Sequence, residues 1–99
     1  MISFFVVRGH SMEPSAREGD FVFVWKLVFS PKKEDVVVFC SPISNELFLK
    51  RVAKIQQDSC WLQGDNALDS QDSRQFGWVP KEAILGKAYV IHSRNGLTR

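Results

Sequence analysis

Short runs of β-branched and aromatic residues, separated by glycine, proline and acidic turn residues, recur along all 99 positions and leave no room for a long amphipathic helix. Ile2 to Val7 stops at Arg8-Gly9, and Phe21 to Val28, bent near Lys26, follows Gly19-Asp20. Asp35 to Cys40 ends at Ser41-Pro42, and Leu47 to Ile55 begins after Asn45-Glu46. Each run has the length and residue types of a strand. The third and fourth predict an antiparallel hairpin with a moderately long loop. Cys60 to Gln63 predicts a brief strand and Ala83 to Ile91 a final one, with a helical turn at Pro80 to Ala83. The polar stretch from Gly64 to Arg74 lacks apolar periodicity and is expected to be loop. The fold class is therefore mostly β, a compact domain of strongly curled antiparallel sheets.

A chain of this length supports one domain with a single modest core, so residues 1–99 are expected to form one catalytic or binding unit. An apolar content of 44% against 24% charged residues places it among folded rather than disordered proteins. Lys32 and Lys33 are answered by Glu34 and Asp35, and no basic block occurs, so nucleic acid is not an expected partner. Cys40 and Cys60 lack paired metal-ligand spacing and are expected to be reduced, partly buried thiols. A zinc site joining them to His10 and His92 would draw on four scattered residues, so neither metal nor cofactor is expected. Ile2 to Val7 is too short to cross a bilayer, which takes about 20 helical residues, and no basic leader precedes it. The chain is thus read as carrying no membrane anchor of its own.

Three segments carry chemistry. Gly9-His10-Ser11-Met12-Glu13-Pro14 can present a hydroxyl beside backbone N–H groups able to stabilise an oxyanion. In a strand over Phe48 to Val52, Lys50 shares one face with Phe48 and Val52, while Leu49 and Arg51 face the other way. Desolvation there disfavours the ammonium form and lowers the lysine pKa, so that a neutral amine could accept the Ser11 proton. Arg51 is left as a surface or ion-pairing residue. The tract from Gly64 to Arg74 is dense in hydrogen-bonding side chains: Ser70 or Ser73 could orient the amine, and Asp72 with Arg74 could form a charge-assisted brace.

The ordered segments GHSMEP, EGD at Glu18 to Asp20, KRV at Lys50 to Val52 and GDNALDSQDSRQFG resemble the boxes of type I signal peptidases, over about Arg8 to Tyr89. The resemblance implies the β-rich core shared with LexA-like peptidases and a Ser-Lys dyad, with Ser11 as nucleophile and Lys50 as general base. It also places Ser70 near the lysine, Asp72 and Arg74 in support, and Met12 beside the cleft. Gly9 stands where some relatives carry an oxyanion-hole serine, which leaves the Ser11 backbone N–H as the firmest donor. The interval from Lys50 to Gly64 has no room for an additional β domain. In this compact spacing the chain is most similar to small nickel-type superoxide dismutase maturation proteases, which implies trimming of a precursor's N-terminal segment, with nickel belonging to the substrate. The expected partner is a peptide or precursor protein. Any membrane association would run through a partner or an anchor outside these residues, and the compartment stays open between cytoplasm and membrane periphery. The competing readings are a general leader-removing signal peptidase domain, a LexA-like self-cleaving repressor, which ten residues before Ser11 cannot accommodate, and a non-catalytic peptide-binding β module.

Overall fold

In the computed structural model, which describes residues 2–25, 30–41, 44–69 and 72–92, one seven-stranded antiparallel sheet dominates. The strands are β1 (Ile2–Val6), β2 (Phe21–Trp25), β3 (Val36–Cys40), β4 (Leu47–Gln56), β5 (Ser59–Gln63), β6 (Val79–Pro80) and β7 (Ile84–Ile91), in the spatial order β1-β2-β7-β3-β4-β5-β6. The apolar runs became strands within a residue or two at the bounds described, and β3 and β4 form the expected antiparallel hairpin. The reading of Phe21 to Val28 as bent near Lys26 falls partly on residues outside those described.

Directly opposed residues in a ladder share a face. Val37 and Phe39 of β3 oppose Lys50 and Phe48 of β4, so all four point to one side, while Val38 and Leu49 point to the other. On the first side Val37, Phe39, Val52, Cys60, Leu62 and Val79 are buried together. On the second side Val22, Val24, Val38 and Ala88 are buried, with Phe5, Val7 and Leu49 packed against them. Each buried Val or Leu contributes about 1.5–3 kcal/mol, so the two clusters on β3 and β4 hold the hairpin from both faces. Register shifts at Val38/Phe39 and Val52/Lys54 bend the strands and curl the sheet. Gly86 is required where β7 crosses β2, because a Cβ there would lie 2.3 Å from the Trp25 carbonyl oxygen.

The tract from Gly64 to Arg74 departs from the loop expectation. A 3-10 turn spans Ala67–Asp69, and a one-turn helix, α1, spans Ser73–Phe76. Asp72 caps α1: its side chain accepts from the Arg74 N–H, and the Gln75 side chain returns a bond to the Asp72 backbone N–H. This local capping box makes a helical turn without any apolar period. Phe76 of α1 then covers the first cluster, its ring 5.8 Å from that of Phe39. The helical turn expected at Pro80 to Ala83 is present at Lys81–Ala83, and β6 precedes it, too short to be seen as a run.

At the β1 end the sheet is open. The rows Ile2-Trp25-Lys87, Phe4-Phe23-Tyr89 and Val6-Phe21-Ile91 lie side by side, and Phe4 is 70% exposed. Alternation in β1 therefore separates one apolar face from another, not apolar from polar.

Candidate functional site

Ser11 sits in the turn that follows β1. Gly9 precedes it at φ 81°, in the left-handed region that a side chain disfavours. The turn is closed by the Glu13 N–H to the His10 carbonyl (3.2 Å) and the Ala16 N–H to the Met12 carbonyl (3.0 Å), and Met12 and Ala16 are buried beneath it. His10 lies outside, its Nδ1 2.7 Å from the Glu13 carboxylate. Behind the turn the buried Asp20 accepts from the Arg17 N–H (2.9 Å) and meets His92 Nδ1 at 3.1 Å.

Two attachments fix this turn to the rest of the sheet. Asn66 donates its backbone N–H to the Ser11 carbonyl (2.8 Å) and its side-chain Nδ2 to the His10 carbonyl (3.0 Å). Asp65 accepts from the Ser15 hydroxyl and, bidentately, from Arg51 Nε and Nη2, both at 2.9 Å. Arg51 Nη2 also reaches Ser15 Oγ (3.3 Å), and Nη1 reaches the Glu34 carbonyl (2.9 Å). The Arg51 hydrogen bond, helped by the Ser15 hydroxyl and opposed by burial, holds the Asp65 carboxyl below its ordinary range. The reciprocal bond raises the Arg51 guanidinium. Arg51 is thus a clamp between β4 and the Ser11 turn, a role the sequence left at surface or ion-pairing residue. Asp65, Asn66 and Ser15 were not singled out, although Asp65 and Asn66 stand in the quoted GDN segment.

Lys50, one residue from the clamp, projects from the opposite face of β4 and is 1% exposed. Its Nζ lies 5.6 Å from the centroid of the Phe48 ring, and Val37 stands directly across from it on β3. Phe48 in turn lines a cavity of about 360 Å³ together with Val7, Arg8, Ser11, Met12, Val22, Val38, Glu46, Leu47 and Leu49. Phe48 is therefore the residue common to the Ser11 cavity and to the surroundings of the Lys50 amine, and Lys50 itself is not among the residues that line the cavity. Gly9 is not among the lining residues, whereas Met12 is.

The supporting tract is held through Asp72, which is fully buried. It accepts from the Gly64 N–H (2.8 Å), the Arg74 N–H (3.0 Å), and Arg74 Nε (3.0 Å) and Nη2 (2.6 Å). The Asp72 hydrogen bond raises the Arg74 guanidinium. The expected Asp72-Arg74 pair is formed, and it fastens Gly64, next to Asp65. Ser73 turns elsewhere: its buried hydroxyl accepts the Leu62 N–H at 2.8 Å, an anchor for α1 on β5. Ser70 lies outside the described residues. Cys40 and Cys60 are free thiols, and burial pushes the Cys60 thiol up against a smaller opposing effect from Lys81. Among the described residues no cluster of His, Cys, Asp and Glu could hold a metal ion, and no helix is long and apolar enough to cross a membrane.

A curled antiparallel sheet with a serine turn over a cavity and a buried lysine on a strand that borders it is of the kind found in β-rich peptidase cores. The match to known families is more specific: the model of the family described as signal peptidase, peptidase S26, matches residues 1–55 and 53–93, and the chain belongs to that family of serine peptidases. It is 28% identical to mitochondrial inner membrane protease subunit 2 of Schizosaccharomyces pombe, over 92% of this chain and 64% of the relative. Subunit 1 of the mouse (Mus musculus) protease is 29% identical over 82% of this chain and 63% of its own length. A shorter match, 56% identical over 32% of this chain and 12% of the relative, is to signal peptidase I of Aquifex aeolicus. The chain spans less than two thirds of the length of these curated relatives.

Proposed function

We propose that residues 1–99 form a minimal catalytic domain, a serine endopeptidase that removes an N-terminal leader or propeptide from a protein precursor. The observation that carries this reading is Phe48, which lines the Ser11 cavity and holds the buried Lys50 amine 5.6 Å from the centre of its ring. Burial withholds water from that amine and so favours its neutral form. Ser11 Oγ attacks the scissile carbonyl carbon as its proton passes to Lys50 Nζ, and the oxyanion is received by the Ser11 backbone N–H. Collapse of the tetrahedral intermediate breaks the C–N bond, the leaving amine takes the proton back from Lys50, and an acyl-Ser11 ester remains. Water, deprotonated by Lys50, then releases the acid and restores the serine. Ser70 orients the amine, while Asp72 and Arg74 hold the tract on which it lies. Met12 fills the floor of the cleft, and Gly9 gives the nucleophile's turn its left-handed entry.

An extended peptide reaches this centre by strand addition. Pairing of β4 with β5 begins only at Arg51↔Gln63, so among the described residues Leu47–Lys50 has a strand partner on one side only. A precursor of nickel-type superoxide dismutase is the specialised substrate suggested by the compact spacing, and a secretory or organellar leader is the one suggested by the names of the relatives. Digestion of a peptide library, read by mass spectrometry, should show products from the native chain and none from Ser11→Ala or Lys50→Ala. Loss of the nucleophile should lower turnover by about 10⁶-fold and loss of the base by at least 10²-fold, with both variants folded. Turnover should also rise with pH as the lysine deprotonates. Substantial cleavage by purified Ser11→Ala would sink the dyad. The N-terminal region of a nickel superoxide dismutase precursor, assayed beside a signal peptide, distinguishes the two substrate classes.

A further inference from the structure

Glu46 stands at the mouth of the Ser11 cavity with no role in the scheme above. The Ser41 N–H donates to its carbonyl at 2.8 Å, which extends the β3–β4 ladder one pair beyond Cys40↔Leu47. Glu46, Phe48 and Lys50 therefore form one row on a single face of β4, with neighbours roughly 7 Å apart along the strand. The first is a carboxylate, the second an aromatic ring and the third an amine. Glu46 and Phe48 both line the cavity that holds Ser11. The Glu46 side chain is exposed, and among the described residues no cation is ion-paired or hydrogen-bonded to its carboxylate. Arg8 borders the same cavity from the β1 side and is not ion-paired with it.

An extended peptide added along Leu47–Lys50 repeats its own side chains at the same interval of about 7 Å. With its scissile bond at the Ser11–Lys50 centre, a side chain about four residues away along the strand, roughly 13 Å, comes abreast of Glu46. A carboxylate at the rim of an apolar cleft attracts a cation there and repels an anion, and the aliphatic stem of a lysine or arginine suits the Leu47 and Phe48 wall. We infer that Glu46 is a specificity-determining residue, selecting precursors with a lysine or arginine about four residues from the scissile bond on the side that runs toward the start of β4. The inference rests on the endopeptidase reading for its register and concerns binding, not the bond-breaking step.

The test uses the full chain and a neutral cleavable peptide in which Lys, Gln or Glu is placed in turn three to five residues from the scissile bond, on both sides. Affinity is read by fluorescence anisotropy with Ser11→Ala, so that binding is measured whether or not the native chain turns over, and kcat/KM is read with the native serine. Lys should exceed Glu by about fivefold at one position, mostly through KM. Glu46→Gln should level the preference and Glu46→Lys should invert it, with unchanged thermal melts. Raised salt should shrink the difference. Equal affinity for the Lys, Gln and Glu peptides at every position, or a Lys preference that survives Glu46→Lys, overturns the inference. Charge-dependent binding inverted by Glu46→Lys, without turnover by the native chain, would uphold Glu46 and refute the Ser-Lys chemistry.

Discussion

Replacing Asp72 by asparagine removes a charge with almost no change of shape, so the response isolates electrostatics from packing. The Asp72 carboxylate is fully buried and, among the described residues, accepts N–H bonds from the Gly64 backbone, the Arg74 backbone and two Arg74 guanidinium nitrogens. A carboxamide can offer one oxygen to these donors, and its NH₂ confronts the others. Hydrogen bonds to a charged group contribute about 1.5–3 kcal/mol each, and breaking a buried pair by removing one partner costs about 3–5 kcal/mol. The Gly64 and Arg74 bonds fail together, so the second range is the appropriate one. A domain of this size shifts in Tm by about 4–8 °C per kcal/mol, which places the loss at roughly 12 to 40 °C. Thermal melts by circular dichroism and urea unfolding followed by tryptophan fluorescence measure it. Arg74→Met removes the two guanidinium bonds to Asp72 and a long one, 3.5 Å, to the Gly64 carbonyl, and exposes the carboxylate to water, since Arg74 is itself 34% exposed, so its cost should be smaller, about 2 kcal/mol. The double variant should cost less than the sum of the two single variants. A loss below about 1 kcal/mol for Asp72→Asn, at unchanged urea m-value, would refute the reasoning.

The Arg51–Asp65 clamp has a pH signature. Because the Arg51 bond holds the folded-state carboxyl of Asp65 below the ordinary value of 3.8, its stabilisation is full above that value and is lost as pH falls through the lowered one. The gap in urea midpoint between native chain and Asp65→Asn should be constant from neutral pH down to about 5 and close under stronger acid. A gap that widens under acid would reverse the sign. Arg51→Met frees the Ser11 turn from β4, so kcat/KM should drop by at least tenfold while the fold persists, and full activity would show the clamp idle. The thiols should react in order of exposure, with Cys40 modified by an aromatic disulfide reagent in the native state and Cys60 only on unfolding, because Cys60 is buried and its thiol is pushed up.

Strand positions were legible because β-branched and aromatic runs bounded by turn residues are local signals. The side assignment of Lys50 was legible too, since alternation in a strand is purely local. Less visible was the clamp: Ser15 and Asp65 are 50 positions apart, and their union through Arg51 follows from how the sheet curls, not from any short pattern. The helical turn at Ser73–Phe76 was hidden by the absence of an apolar period, although Asp72 and Gln75 carry the capping-box spacing that would have announced it. The open face of β1, β2 and β7 was obscured for another reason. Strand patterning reports burial only when the other face is polar, and here Phe4, Phe23 and Tyr89 are apolar yet partly or largely exposed.

Lys50 and Arg51 are consecutive, yet they serve opposite faces of β4: one amine enters the aromatic-lined interior, and one guanidinium reaches over the Ser11 turn. Point substitution can alter either residue alone. Sliding β4 by a single position cannot, because it exchanges the two faces and withdraws the proposed base and the clamp together. Insertions and deletions within Val36–Cys40 or between Leu47 and Lys50 are thereby filtered far more severely than substitutions, and between these two strands length can vary only in the loop that joins them.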